Sequence, residues 1–301
     1  MPALLNRCSL AVLLLLLAAS FAKAQSITAA EAIQRIERHY SPTLPQNTVD
    51  TIKAGDASTP VTGIVTTFLD TMDVLREANR LRANLVITHE PTFYNHLDDT
   101  SFFANDPVYR EKLEYVQQHH MVVFRLHDGI HTASPDPVAT ALVQELGWKS
   151  YLTSTNPFLA TIPQISLLKL SRDLEAKLNA RTVRVVGNPN LNITHVALLP
   201  GASGLQKQVL ALRRDDVEVL LAGESAEWEA IEYVRDAVAQ GRHKALILLG
   251  HEVSEEAGMN QCAEDIRALF PGLKVTHVPA QQPLWRPANP PTDKSITKPA
   301  N

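Results

Sequence analysis

The sequence has very little cysteine. Cys8 and Cys262 are the two cysteines among its 301 residues, and Cys8 lies in an N-terminal segment that we expect to be removed. One remaining thiol cannot form an internal disulfide, so stability must come from an ordinary hydrophobic core. The chain is long enough for such a core and for two modest domains.

The sequence also lacks a strong excess of charge. It contains 28 basic and 32 acidic residues, which gives a formal net charge of −4, and no basic block stands out. Nucleic acid and anionic membrane surfaces are therefore not expected as partners. A small-molecule substrate is the partner class that we expect.

Long hydrophobic runs are absent except near the start of the chain. Residues 10–19 are apolar, Arg7 precedes them, and the small-residue site AKA follows at residues 22–24. This pattern predicts a signal peptide over residues 1–24, cleaved before Gln25, and a periplasmic or secreted protein without membrane attachment after cleavage. An uncleaved N-terminal anchor is the alternative, although the run is short for a membrane span.

Strand-like runs alternate with amphipathic segments along the chain. Residues 60–68 and 84–88 are predicted strands, and residues 70–82 between them are a predicted helix. Two strands joined by a helix of this length indicate a parallel βαβ unit. A second helix and strand within residues 106–126 repeat the pattern. We therefore predict an α/β fold, with mostly parallel sheets flanked by helices.

Residues 151–163 are predicted to be a connector between two sets of elements. Alternating strands and helices resume beyond it, which extends the α/β assignment to the rest of the chain. The remaining predicted helices cover residues 27–40, 135–146, 164–178, 205–213, 226–239 and 253–269, and the remaining predicted strands cover residues 182–186, 194–199, 217–221, 244–249 and 273–278.

Histidine and carboxylate residues follow three predicted strands at the point where each strand ends. In open α/β sheets, ligands bind beyond the carboxyl ends of the strands, so the three groups could share one pocket. The residues are His89 and Glu90, His127 and His131, and His251 and Glu255.

Local spacing favours a shared pocket. Adjacent residues within a strand point to opposite faces, but at a strand end broken by Pro91 both His89 and Glu90 can face one pocket. His251 and Glu255 are four residues apart and lie on one face of a helix that begins just before them. Each group alone has an ordinary alternative, a surface or capping histidine or a solvated pair. Repetition at three strand ends favours a metal site.

Imidazole and carboxylate donors together suit Zn, Mn, Fe or Ni better than Ca or Mg. Five or more such donors exceed the need of one tetrahedral ion. Two divalent ions bridged by a carboxylate and a water would use them all. Such a pair would activate a bridging hydroxide for hydrolysis.

The motifs around these residues resemble the Nif-three-like dinuclear metal-binding family, whose members are often labelled GTP cyclohydrolase type 2. The first motif is VTGIVTTFLD at residues 61–70, followed by a helix and by LVITHEPTF at residues 85–93. The resemblance covers about residues 28–281, in the family's order. The further motifs are FRLHDGIH at 124–131, VRVVGNP at 183–189, ALLPGASG at 197–204, AGESAE at 222–227 and GHEVSE at 250–255.

The resemblance implies a set of metal ligands and pocket residues. The family has histidine where this chain has Glu90, and aspartate where it has His131. Because both sets contain three histidines and two carboxylates, we expect a rearranged two-metal site. His127 opens the family's third-strand motif and is a pocket residue, and either Glu90 or His127 is the expected catalytic proton carrier. The implied metal ligands are His89, Glu90, His131, His251 and Glu255.

The resemblance also implies a two-lobed Nif-three-like fold without an inserted domain. Residues 25–155 together with 240–281 would form the lobe with the metal site, and residues 156–239 the second α/β lobe. Residues 282–301 are rich in proline and would form a flexible tail. Family members tend to form toroidal hexamers, so we expect a homo-oligomer.

The first functional hypothesis is an exported metal-dependent hydrolase. The family label suggests GTP, but export would separate the protein from that nucleotide. A phosphoester, a nucleotide-derived compound or a cyclic amide is the expected substrate. The alternatives are a non-enzymatic metal-binding protein and a scaffold that has lost its metal. An open coordination position would favour catalysis, whereas a closed one would favour a structural role.

Overall fold

The computed structural model describes residues 27–40, 46–153 and 156–288. The predicted signal peptide and most of the predicted tail lie outside these residues. The described chain forms two β-sheets flanked by helices, which confirms the predicted α/β class. Within this part of the chain, no helix combines the length and apolar character needed to cross a membrane.

The first sheet contains five of the described strands, four of them parallel. They are β1 (Ile52–Ala54), β2 (Ile64–Thr67), β3 (Leu85–Thr88), β4 (Val122–Arg125) and β11 (Val275–His277). Their order is β1-β4-β3-β2-β11, with β1 antiparallel at one edge. Every residue of β2, β3 and β4 is buried, as expected for parallel strands covered on both faces.

Five α-helices of the described residues belong to this half of the molecule. They are α1 (Ala29–Tyr40), α2 (Met72–Arg80), α3 (Pro107–Gln118), α4 (Asp128–Thr132) and α5 (Pro137–Leu146). α2 connects β2 to β3 and α3 connects β3 to β4, so both predicted parallel βαβ units are present. Side chains cap the starts of three helices, because Thr71 accepts from Val74 N, Asp106 from Tyr109 N and Asp136 from Val138 N.

The second sheet contains six of the described strands and is mixed, since only β8, β9 and β10 are mutually parallel. The strands are β5 (Leu152–Thr153), β6 (Asn156–Ser166), β7 (Arg184–Val186), β8 (Asn192–Leu199), β9 (Val219–Ala222) and β10 (Ala245–Leu248). Their order is β5-β6-β8-β9-β10-β7. The α-helices described in this half are α6 (Leu167–Lys177), α7 (Gly204–Leu212) and α8 (Glu232–Ala239), and a π-helical turn (Glu227–Ile231) precedes α8.

The predicted connector at residues 151–163 is wrong, because most of it is strand β6. A proline cannot donate to the sheet, but the register with β8 shifts between Thr161 and Ile165, and Pro163 lies within that irregularity. The irregular pairing therefore accommodates this proline within the strand.

The long helix α9 (His251–Leu269) joins the two halves. The predicted division assigned residues 240–281 to the first lobe, but β10 pairs with β9 and β7 in the second sheet. The chain returns to the first sheet through α9, which packs against α5, β2 and β11. The carboxyl ends of β3, β4 and β10 thereby come together from different sheets.

Candidate metal centre

The polar side chains that follow β3, β4 and β10 meet in one cluster. The closest contacts between them join imidazole nitrogens to carboxylate oxygens. The structure brings all six predicted site residues together: His89, Glu90, His127, His131, His251 and Glu255.

The first two residues extend the edge of β3. His89 N donates to Thr67 O at 3.1 Å and Glu90 N donates to Phe68 O at 2.9 Å, so the hydrogen-bonding pattern with β2 continues past the strand. Pro91 then turns the chain away. His89 is 0% exposed and Glu90 is 9% exposed, so both enter the interior of the site.

The next two histidines lie at the short helix α4, since His127 directly precedes it and His131 is its fourth residue. The carboxylate of Asp50 accepts from the backbone N–H groups of His127, Asp128 and Gly129 at 2.8, 2.8 and 2.7 Å. Asp50 therefore satisfies the free donors of this helix from a distant part of the chain. The cap fixes the turn that carries the imidazoles of His127 and His131 into the cluster.

The last two residues lie on the first turn of α9. Gly250 has a φ of 102°, a conformation that side chains disfavour, and this lets the helix start immediately after β10. His251 is the first residue of the helix. Glu255 lies one turn later and is 3% exposed. The predicted placement of both residues on one helix face is confirmed.

Two carboxylate oxygens lie between imidazoles. Oε2 of Glu255 is 3.1 Å from Nε2 of His251 and 3.4 Å from Nε2 of His89. Oε1 of Glu90 is 3.5 Å from the Nε2 atoms of both His127 and His251, and 4.0 Å from that of His89. His251 is thus linked through both carboxylates to the imidazoles on the first sheet.

The other ring nitrogen of each imidazole faces an oxygen. Metal-bound histidines have this arrangement, because the outer partner fixes the tautomer and the ring orientation. The Nδ1 atoms lie 3.0 Å from Leu126 O for His89, 3.0 Å from Asp128 Oδ1 for His127, 2.9 Å from Asp136 Oδ2 for His131 and 3.5 Å from Glu224 Oε2 for His251.

The donor set fits a divalent transition-metal ion. Nε2 of His89 and Oε2 of Glu255 are buried without a hydrogen-bond partner among the described residues. Donors around one tetrahedral ion lie roughly 3–3.5 Å apart, because the bonds are about 2 Å long. Several of the separations above fall in that range. Among the residues that the structure describes, two groups have donor atoms within 4.8 Å of one another: His89 with His127 and His131, and His89 with Glu90 and Glu255.

The electrostatic field of the cluster favours a cation beside His251. Burial acts to lower the pKa of this imidazole, but Glu224, Glu255 and Glu90 outweigh burial and raise the pKa to about 12. Burial acts to raise the pKa of Glu255, yet His251 and His89 hold it well below its usual range. For His127, burial and the neighbouring His89 lower the pKa to about 4.

Several residues around the cluster were not predicted from the sequence. Asp50, Arg125, Asp136 and Glu224 each contact a predicted site residue, and Arg125 bonds to both His89 and Glu90. Most of them lie far in sequence from the site residue that they contact, or in positions that no motif marks. Asp136 is the exception, since an aspartate before a proline is a recognisable helix start five residues after a candidate ligand.

Two cavities adjoin the cluster and would admit a small molecule. One of about 670 Å³ is lined on its apolar side by Phe68, Tyr94 and Leu284. The other, of about 650 Å³, also contains Lys207. Both include His96, which lies outside the predicted site motifs and whose ring is 5.7 Å from that of His127.

Comparison with known proteins identifies one family. The family model described as Duf34/NIF3 (NGG1p interacting factor 3) matches residues 27–283. No curated protein matches the chain.

Solved structures with this fold are similar over most of their length. The Staphylococcus aureus hypothetical protein SA1388 is 20% identical with a TM-score of 0.68, covering 84% of this chain and 97% of its own. A Bacillus cereus protein related to NIF3 is 15% identical with a TM-score of 0.68, covering 86% and 98%. The protein ybgI, described as of unknown function, is 21% identical with a TM-score of 0.69, covering 86% and 100%. The TM-scores of 0.68 and 0.69 show a shared fold, and with identities of 15–21% the similarity extends to the fold alone.

Proposed function

The chain belongs to the Duf34/NIF3 family, as its motifs predicted, and we propose that it is an exported metal-dependent hydrolase that acts on a small molecule. The observation that carries the proposal is the convergence of four oriented imidazoles on two carboxylates beside a cavity. Such a site can hold a Lewis acid next to a bound substrate.

We propose that the site holds two divalent transition-metal ions, Zn, Mn, Fe or Ni. His89, Glu90, His131, His251 and Glu255 would hold the ions. The placement of Oε2 of Glu255 between His251 and His89 supports this assignment. Bound ions would supply Lewis acidity and lower the pKa of a water molecule towards neutrality.

The protein's own groups would bind substrate and move protons. His127 lines the 650 Å³ cavity, and its Nδ1 is oriented by Asp128. Because its lowered pKa keeps the ring neutral at pH 7, it can accept a proton there. Glu90 is the other candidate proton carrier.

The cavity sizes favour a small-molecule substrate, since ligand pockets typically measure about 300–1,000 Å³. The apolar lining of one cavity and Lys207 in the other suit a compound with both apolar and anionic parts. A phosphoester or a nucleotide-derived compound meets that description. A cyclic amide, which is neutral, would use the apolar lining and the metal centre. We also propose that the chain forms a homo-oligomer, in the toroidal hexamer typical of the family.

The first experiment is elemental analysis of the purified chain from residue 25 to 301. We expect about two transition-metal ions per chain, and their loss in the double variant Glu90→Ala, His131→Ala. His243→Ala removes an exposed histidine and is the matched control. Metal-loaded protein would then be tested on phosphoester, nucleotide and cyclic amide panels.

The outcomes separate the alternatives. Failure of the wild-type chain to bind any divalent ion, even after reconstitution, would rule out the hydrolase and leave a scaffold. Stable metal binding without turnover of any substrate class would support a non-enzymatic metal-binding protein. Mass spectrometry of the exported protein would test cleavage before Gln25, and light scattering would test the hexamer.

A further inference from the structure

A fully buried arginine lies directly behind the proposed metal centre. Arg125 is the last residue of β4, it is 0% exposed, and the three residues before it in the strand are apolar. Buried charges are rare unless they are paired and hydrogen-bonded, because removing a charge from water is unfavourable. The contacts of this side chain therefore indicate why it is there.

The guanidinium contacts three different points of the segment that follows β3. Its Nε donates to His89 O at 3.1 Å, and its Nη1 donates to His96 O at 2.5 Å. Its Nη2 lies 3.5 Å from Oε2 of Glu90. Arg125 thereby ties together both ends of the segment, which carries one predicted ligand at each of its first two positions.

The charge of Arg125 is balanced within a buried network. Its Nη1 lies 3.6 Å from Oδ2 of Asp98, which is also 3.2 Å from Nζ of Lys53. Oδ1 of Asp98 accepts from Phe93 N at 2.8 Å and closes the loop. Two cations and two carboxylates alternate from Lys53 to Glu90, so Glu90 is the end of the network that faces the site.

The two oxygens of Glu90 consequently have different surroundings. Oε2 faces Arg125, while Oε1 faces the imidazoles of His127 and His251. We infer that Arg125 is a positioning residue that presents Glu90 to the site as an anionic metal ligand through one oxygen. This inference rests on the proposed metal-dependent function. It favours Glu90 as a ligand and leaves His127 as the proton carrier.

Lysine could not replace Arg125 at this position without loss. The guanidinium offers donors in a rigid planar fork, and three of its nitrogens are used towards different acceptors. A lysine ammonium is a point charge and cannot span His89 O, His96 O and Glu90 together. Arg125→Lys therefore preserves the buried charge but removes the geometry, which makes it the informative variant.

The experiment measures Co²⁺ binding by chelator competition and records the visible absorption spectrum of the bound ion. Arg125→Lys should weaken Co²⁺ binding about 10–100-fold, as loss of outer partners of metal ligands typically does. It should also alter the Co²⁺ spectrum, because the orientation of Glu90 changes. The same substitution in a Glu90→Gln background should change affinity less than about twofold if Arg125 acts through Glu90.

Lys244→Met is the control for losing a cation that holds backbone carbonyls outside the segment after β3. Lys244 donates to Arg214 O at 2.6 Å and to Val217 O at 2.5 Å, next to the start of β10. It should lower the melting temperature and leave the Co²⁺ spectrum and affinity unchanged.

The double-variant comparison decides the inference. An equal loss of affinity in the wild-type and Glu90→Gln backgrounds, or an unchanged spectrum in Arg125→Lys, would overturn the positioning role. Failure of the wild-type protein to bind Co²⁺ would instead overturn the proposed function. If Arg125→Lys does not fold, Arg125→Gln is measured in the wild-type and Glu90→Gln backgrounds instead. An equal loss of Co²⁺ affinity in the two backgrounds would again overturn the positioning role.

Discussion

At the residue scale, the carboxylate of Asp136 contacts both a helix start and a proposed metal ligand. Its Oδ1 caps helix α5 by accepting from Val138 N and Ala139 N, and its Oδ2 lies 2.9 Å from Nδ1 of His131. One carboxylate thus starts a helix and orients a proposed metal ligand. The two tasks use different oxygens, so they can be separated by substitution.

Asp136→Asn should keep the helix cap and weaken metal binding about tenfold, because asparagine caps as well as aspartate but replaces one oxygen with an amide. Titration of Zn²⁺ against a chelator measures the change. Asp106→Asn is the control, since Asp106 caps α3 before Pro107 in the same way, away from the cluster. Equal affinity in the two variants would show that Asp136 does not act on His131.

The raised pKa of His251 predicts that metal binding depends on pH. The folded-state pKa of about 12 lies above the ordinary value of 6.5, so the stability gained from this proton is full below about pH 6.5 and is lost as pH rises through about 12. A metal ion must displace the proton. Metal affinity should therefore rise with pH across this window.

Calorimetric titration in buffers of different ionisation enthalpy tests the prediction. At pH 7.5 we expect roughly one proton released per chain from His251 on metal binding. The His251→Ala variant, measured under the same conditions, should release about one proton fewer per chain than the wild type. Proton release that is the same in the wild type and this variant would contradict the assignment of His251 as a ligand.

At the element scale, a loop of the second sheet lies directly against Glu255, the proposed metal ligand on α9. Gly201, in the turn between β8 and α7, has a φ of 65°, and a Cβ there would overlap the Glu255 carboxylate. Gly201 N also donates to Ser254 Oγ at 2.9 Å. The turn therefore fixes where the Glu255 side chain can lie.

Gly201→Ala should displace Glu255 and lower metal affinity more than tenfold. Gly204→Ala is a matched control because its φ is 78° and nothing lies within 4 Å of an added Cβ. Both substitutions carry backbone strain of about 1–2 kcal/mol, measurable by thermal unfolding. Only the first should change the Co²⁺ spectrum, and an unchanged spectrum in Gly201→Ala would show that Glu255 tolerates the displacement.

The whole molecule contributes ligands from both sheets. His89 and His127 follow strands of the first sheet, while His251 follows β10 of the second. A bound ion would therefore join the two halves through side chains, in addition to the packing of α9 against α5 and β2. Metal binding should stabilise the whole fold.

At a free metal concentration of about 1,000 times the dissociation constant, binding should add about 4.1 kcal/mol to the free energy of unfolding. Calorimetry before and after removal of metal by a chelator measures this gain. The Glu90→Ala, His131→Ala variant should lose most of it. A melting temperature that does not respond to metal in the wild type would contradict a site that joins both halves.

Individual helices and strands show which parts of the fold local sequence patterns could predict. The βαβ units of the first sheet follow from local signals: apolar strand runs, the Thr71 and Asp106 caps and Pro107 at the start of a helix. β1 is three residues long, and β6 contains prolines, so neither has a clear periodic pattern. β10 was predicted as a strand, but its sheet depends on pairing partners far away in sequence.

Local patterns were enough to identify the family, the alternating α/β order and the six residues of the cluster, because strand ends, helix spacing and motif order are local properties. The surroundings of those residues came from tertiary packing. Asp50 caps a turn 77 to 79 residues away, and Arg125 reaches Glu90 across 35 residues. Such contacts depend on how strands align and helices pack, and these are set by the burial of the whole chain rather than by any short pattern.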